Sequence, residues 1–208
     1  KTTVKEMVSA ILAEHLGDAH RLATRGNLNN DVGVPLTLLR LHGEHRAAVI
    51  EIGTNHPGEI AWLASVGRAT DALVNNAQRE HQEFLHGVEG SARENGASIA
   101  ALADDGIAVF PGDDSQAPLW RELAAARRRI EFGLDADVAA RYPVRAAPDA
   151  RPGGFVLEVE GERAEVRLAI DGAHNVRNAL AAAACAHALG IGLDAIATGL
   201  ARVRPPVG

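Results

Sequence analysis

Val4, Met7, Val8, Ile11 and Leu12 recur at helical spacing, which predicts a helix of about three turns with one apolar stripe near the start of the chain. Short apolar runs at Ala47–Ile52, Asp71–Asn76 and Gly106–Phe110 suit buried strands. Between them Pro57 opens a helix through Val66, a stretch broken by Gly87, Gly90 and Gly96 reads as helical, and Ser115–Arg128 forms another helix with a basic end. This alternation predicts an α/β fold in three layers, a mostly parallel sheet flanked by helices on both faces. The rhythm changes between Arg129 and Ile170. A Pro/Ala-rich connector with Tyr142 and Pro143 runs to Pro152, and Phe155–Glu160 and Ala164–Ile170 then alternate with period two across Gly161. Those two runs predict an antiparallel hairpin, so residues 129–170 read as a small annex on a single domain. Asn175–Leu189 and Leu193–Ala201 return to helix.

The chain has 208 residues, enough for one or two domains, with 47% apolar and 23% charged residues. That composition excludes general disorder. Twenty-seven acidic against 21 basic residues give a net charge of −6, a poor electrostatic match for nucleic acid or an anionic membrane. Cys185 is the single cysteine, which excludes an internal disulfide framework and fits a reducing, cytoplasmic setting. The Ala179–Leu193 stretch is interrupted by His187 and too short to span a bilayer.

Candidate chemistry begins at the first residue. Lys1-Thr2-Thr3 directly before a helix matches the end of a phosphate-binding loop, G-x-x-x-x-G-K-[ST], in which the helix N-terminus and lysine meet phosphate oxygens and the threonine hydroxyl reaches Mg²⁺. A plain N-cap at Thr2 or Thr3 explains the same residues. Glu51 sits near the end of an otherwise apolar run, where a carboxylate needs a metal or an ion pair with an arginine. His81 follows the third apolar run with Glu80 and Glu83 beside it, either as a metal ligand near Thr2 and Glu51 or as a solvated loop histidine. Thr24–Pro35 (TRGNLNNDVGVP) is a turn-rich loop whose Asn27, Asn29 and Asn30 suit a polar ligand or left-handed turns. Asn175 and Asn178 lie at i,i+3 on the first turn of an alanine-rich helix and can face one ligand.

The segments KTTVKEM, GNLNNDVGVPLTLLRL, AVIEIGTNHPGEIAWL, ALVNNAQREHQEF and HNVRNALAAAACAHALG, in this order, resemble the central ATP-binding domain of the Mur ligases. The likeness covers nearly the whole chain except Arg129–Ile170. GNLNNDVGVPLTLL and IEIGTNHPGEI are most similar to the members that perform the last amide-forming step of the peptidoglycan stem peptide. The resemblance implies ATP and Mg²⁺ as cofactors, with UDP-N-acetylmuramoyl-tripeptide and D-alanyl-D-alanine as substrates joined through an acyl phosphate. It implies that Lys1, Thr2 and Thr3 face the ATP phosphates and that Thr2, Glu51 and His81 organise Mg²⁺. Lys1, Glu51 and His81 would carry catalysis, Asn175 and Asn178 would lie against adenine, and Asn27, Asn29 and Asn30 would meet the muramoyl peptide.

Against the family pattern, most of the glycine-rich loop is missing before Lys1, and an amino-terminal UDP-binding domain and a carboxy-terminal domain are expected outside the chain. The lysine that many members carry as a carbamate falls on Asn95, so either Glu80, Glu83 or Glu94 assists a second Mg²⁺, with Glu83 favoured, or water and ATP alone hold that metal. Alone, residues 1–208 are expected to fold without forming the amide bond. A different Mur step, a folate or cyanophycin ligase, or a nucleotide-binding module without catalysis are the alternative readings.

Overall fold

In the computed structural model, residues 1–54, 56–76, 87–134, 142–148 and 154–204 are described. The elements run α1 (Thr2–Leu16), a 3₁₀ turn (Asp18–His20), β1 (Arg21–Ala23), α2 (Gly33–Leu38), β2 (Ala47–Val49), α3 (Glu59–Gly67) and β3 (Asp71–Leu73). There follow α4 (Val88–Ala100), β4 (Ile107–Pro111), α5 (Ala117–Ala124), β5 (Arg128–Gly133) and β6 (Val144–Pro148). β7 (Gly154–Val159), β8 (Glu162–Arg167), α6 (Ala173–Ala188) and α7 (Leu193–Ala201) complete the described chain.

Six strands form one sheet in the order β3-β4-β5-β6-β7-β8. β3 to β6 are mutually parallel, and β6, β7 and β8 are antiparallel. β1 and β2 form a separate parallel pair beside α1. Parallel strands covered on both faces need apolar residues on both faces, and β4 supplies them. Val109 points into a core with α1, α6 and α7, while Ala108 and Phe110 point to the opposite side, with Trp120 of α5 and Ile99 of α4.

α6 explains the alanine-rich stretch. It touches β3, β4, β5 and β6 as well as α1 and α7, and Ala179, Leu180 and Ala181–Ala184 are fully buried. A helix enclosed on all sides must be apolar all round, and small side chains let its neighbours approach. The same economy acts between α1 and α7, where a Cβ on Gly199 would lie 2.5 Å from the Ile11 Cα. No described helix is long and apolar enough to cross a membrane.

Four expectations need correction. The antiparallel portion expected in residues 129–170 is present as β6 to β8, but it starts later and continues the main sheet, because β5 lies inside that span as a parallel member of it. β5 was hidden by its composition: Ile130 and Phe132 are buried, but arginines and Glu131 alternate with them. The glycines do not break α4, which runs through Gly90 and Gly96. Gly96 gives room instead, since a Cβ there would lie 2.5 Å from Leu123 Cδ1 and 3.2 Å from Trp120 Cδ1. The Thr24–Pro35 segment is not loop throughout, for α2 begins at Gly33. The apolar runs also overstate β2 and β3, because Glu51, Asn75 and Asn76 lie past the last paired residue of each strand.

Candidate functional site

Glu51 is placed by the end of the β1–β2 pair. The Thr24 N–H donates to the Val49 carbonyl at 3.1 Å, and the Glu51 N–H donates to Thr24 Oγ1 at 2.9 Å. Thr24 is buried, and its own carbonyl accepts from Lys5 Nζ at 3.0 Å, with Lys5 also paired to Glu6. α1, β1 and the residues after β2 are thereby tied together around one side chain.

That carboxylate is 7% exposed. Its Oε1 accepts from the Thr2 hydroxyl at 3.1 Å and from Asn29 Nδ2 at 2.9 Å. Its Oε2 is buried and has no hydrogen-bond partner. A buried anionic oxygen without a partner costs on the order of 1–3 kcal/mol or more, so the chain holds it there against its own stability. No arginine or lysine forms an ion pair with Glu51 among the described residues, which removes the strand-end ion pair as its explanation.

The Thr2 hydroxyl donates its hydrogen bond to Glu51 and keeps both oxygen lone pairs. It lies in the first turn of α1, a helix of 15 residues with Lys1 at its N-cap. The N–H groups of a helix's first turn and its positive dipole end favour an oxyanion. The hydroxyl oxygen and the open Glu51 oxygen are hard donors of the kind Mg²⁺ takes. The residues present therefore fit a divalent cation.

A second polar cluster sits where β3 ends against α6. Asn75 Nδ2 donates to Asn178 Oδ1 at 3.1 Å, Asn178 Nδ2 to Asn175 Oδ1 at 3.3 Å, and Asn175 Nδ2 to the Asp171 carbonyl at 2.8 Å. Asn75 Oδ1 is buried without a partner. Next to this chain of amides, Arg177 donates to both oxygens of Asp113 at 2.6 and 2.9 Å, and the Leu134 N–H adds a bond at 2.8 Å.

The structure thus brings Thr2, Glu51 and Asn29 to one place, with Lys1 preceding Thr2 at the N-cap of α1, and Asn175 and Asn178 to another. Among the described residues no hydrogen bond joins the two groups. Thr3 lies half-buried in the first turn of α1. Asn27 is exposed, while Asn30 Oδ1 accepts from the Gly33 N–H at 2.8 Å and starts α2. His81, Glu80 and Glu83 lie outside the described residues. Glu94 is committed elsewhere, accepting from the Gly58 and Ile60 N–H groups at 2.9 and 3.0 Å at the start of α3. Asn95 lies on α4 with its carbonyl accepting from Ser98 Oγ at 2.8 Å. Among the described residues no three His, Cys, Asp or Glu side chains converge on a metal position. Sequence reasoning missed Thr24, Asn75 and the Asp113–Arg177 pair. Only Asn75 carried a signal, an Asn doublet closing an apolar strand.

Residues 1–186 match the model of the Mur ligase middle domain, and the chain belongs to that family. It is 40% identical over 204 residues to the UDP-N-acetylmuramoyl-tripeptide–D-alanyl-D-alanine ligase of Escherichia coli (strain K12), covering 98% of this chain and 44% of the relative. The enzyme of the same name from Haemophilus influenzae is 35% identical, with 96% of this chain and 43% of the relative covered. The chain therefore spans less than half the length of these relatives. Among solved structures, that of MurF from Acinetobacter baumannii superposes with a TM-score of 0.89 at 36% identity, over 98% of this chain and 44% of that one. The MurF ligase of Thermotoga maritima, solved in complex with ADP, shares the fold, with a TM-score of 0.80 at 23% identity over 98% of this chain and 46% of that one.

Proposed function

We propose that this chain is the ATP-handling central part of a longer ligase that joins D-alanyl-D-alanine to UDP-N-acetylmuramoyl-tripeptide. The single observation that carries the reading is the open oxygen of Glu51 beside the hydroxyl of Thr2 in the first turn of α1. The names and sequence identity of the relatives supply the substrate class.

Bound Mg²⁺ would neutralise phosphate charge and orient ATP for transfer to the peptide carboxylate, which is inert to an amine until one oxygen becomes a leaving group. Glu51 and Thr2 would hold the cation through Oε2 and Oγ1. Lys1 and the first N–H groups of α1 would receive the phosphates. The amide chain of Asn75, Asn178 and Asn175 would form the wall for the base, with Asn75 Oδ1 as its free acceptor. Asn27 and Asn30, both exposed on that segment, are the residues placed to reach the muramoyl peptide. His81 completes the metal set in this reading. A reducing cytoplasmic location suits the one free thiol.

The test is phosphate release and product mass for the complete protein given Mg²⁺, ATP, the muramoyl tripeptide and one dipeptide at a time. The reading expects phosphate release that requires the tripeptide and an amide product with D-alanyl-D-alanine. A product only with a different acceptor would assign another ligase step, and ATP binding without any product would leave a nucleotide-binding module. The segment 1–208 alone is expected to fold and to give no amide, since closing such a site needs the parts outside it.

A further inference from the structure

We infer that Asn29 is a positioning residue for the Glu51 carboxylate, so that the GNLNN loop sets the affinity of the cation site as well as any contact it makes with substrate. This rests on the reading of Glu51 as a cation ligand.

Asn29 reaches Glu51 from a segment 22 residues away, and its Nδ2 donates to Oε1 at 2.9 Å. Together with Thr2 Oγ1 at 3.1 Å, it takes both acceptor directions of that oxygen and leaves Oε2 as the open one. A carboxylate with one oxygen held by two donors cannot turn freely about its last torsion, so the direction of the free oxygen is fixed before a cation arrives. Without Asn29 the group would keep one tether, the hydroxyl of a threonine that is itself exposed.

Asn29 is in turn fixed from behind. Its carbonyl accepts from the Gly53 N–H at 2.7 Å, and its own N–H donates to the Asn27 carbonyl at 2.8 Å. Its amide lies flat on Gly53, where a Cβ would come within 3.0 Å of Asn29 Cγ and 3.1 Å of both amide heteroatoms. The loop is therefore stitched to the segment after β2 at two points, by a side chain at residue 51 and by backbone at residue 53. Side chains that orient a metal ligand in this way typically contribute 10–100-fold to metal affinity.

The experiment is a Mn²⁺ titration of the complete protein with ADP present, read as free Mn²⁺ by electron paramagnetic resonance, for the parent and for Glu51→Gln, Asn29→Ala and Asn29→Asp. Thermal unfolding without metal shows that each variant is folded, and Asn29→Ser replaces any that is not. The inference expects Asn29→Ala to weaken Mn²⁺ binding about 10-fold or more, with Asn29→Asp no better, because the carboxylate keeps the shape but loses the donor. If Glu51→Gln weakens binding and Asn29→Ala stays within about twofold of the parent, positioning by Asn29 is wrong and the cation site stands. If Glu51→Gln itself binds Mn²⁺ like the parent, the cation reading fails and this inference falls with it.

Discussion

Glu51 and Asp113 are both carboxylates at the carboxyl ends of parallel strands, and both are almost fully enclosed. Glu51 follows β2 at 7% exposure, and Asp113 follows β4 with its side chain 3% exposed. They differ in what surrounds them. Both oxygens of Asp113 are taken by the Arg177 fork and one also by the Leu134 N–H, so its charge is neutralised and its lone pairs are used. Glu51 has two neutral donors on one oxygen, no hydrogen bond on the other and, among the described residues, no ion pair. An enclosed acid whose valences are closed within the chain braces the fold. An enclosed acid left open costs stability and is kept for something the chain does not itself contain.

Exchanging the two charges for neutral groups separates these roles. Glu51→Gln should lower ATP turnover by the complete protein about 100-fold or more, while unfolding in the absence of metal stays unchanged or shifts slightly upward. A turnover within threefold of the parent, or a marked loss of stability, would put Glu51 in the same class as Asp113. Asp113→Ala should act in the opposite sense and destabilise by about 2–3 kcal/mol in denaturant unfolding. That lies below the cost of breaking a fully enclosed pair because the Arg177 side chain is 31% exposed. A loss under about 0.5 kcal/mol would show that the pair is not a brace.

The contrast was only half legible in the sequence. Glu51 stood out because a lone acid interrupts the run AAVIEI, and the pattern predicted its need for a partner. Asp113 lies in PGDDSQ, a stretch that reads as solvated turn, and its partner is 64 residues away. No local spacing reports such a pairing. The same limit explains the strands. α7 has its predicted bounds, Leu193–Ala201, and the β7–β8 hairpin was visible from period-two alternation, since both are local patterns. β1 is three residues long and β5 is half arginine and glutamate in appearance, so each is strand only because of what it pairs with. Asn29 was legible as a polar loop residue, but its turn onto Glu51 depends on tertiary contact with Gly53.

The amide chain at the other site sharpens the comparison at smaller scale. Asn178 both accepts and donates within it, so Asn178→Ala should cost about 1–2 kcal/mol of stability. Asn75→Ala should cost less, because it removes one bond together with the buried Oδ1 that has no partner. Equal losses at the two positions would mean that Asn75 Oδ1 is not an open acceptor. The smallest effect is expected at Cys185. Burial, with the nearby Asp71 charge adding to it, pushes its thiol up to about 12, so at pH 8 it stays protonated and should react with a thiol reagent far more slowly in the native protein than in the unfolded chain. Rapid labelling of the native protein would contradict that.

The central claim, that the open oxygen of Glu51 is held for a cation, is tested most directly by thermal unfolding of the complete protein with ADP, with and without Mg²⁺. Ligand that binds only the folded state raises its stability. The parent should gain stability from Mg²⁺ beyond ADP alone, Asp113→Ala should start lower and gain the same increment, and Glu51→Gln should start no lower and lose the increment. A Glu51→Gln protein that keeps the full Mg²⁺ increment would contradict the account.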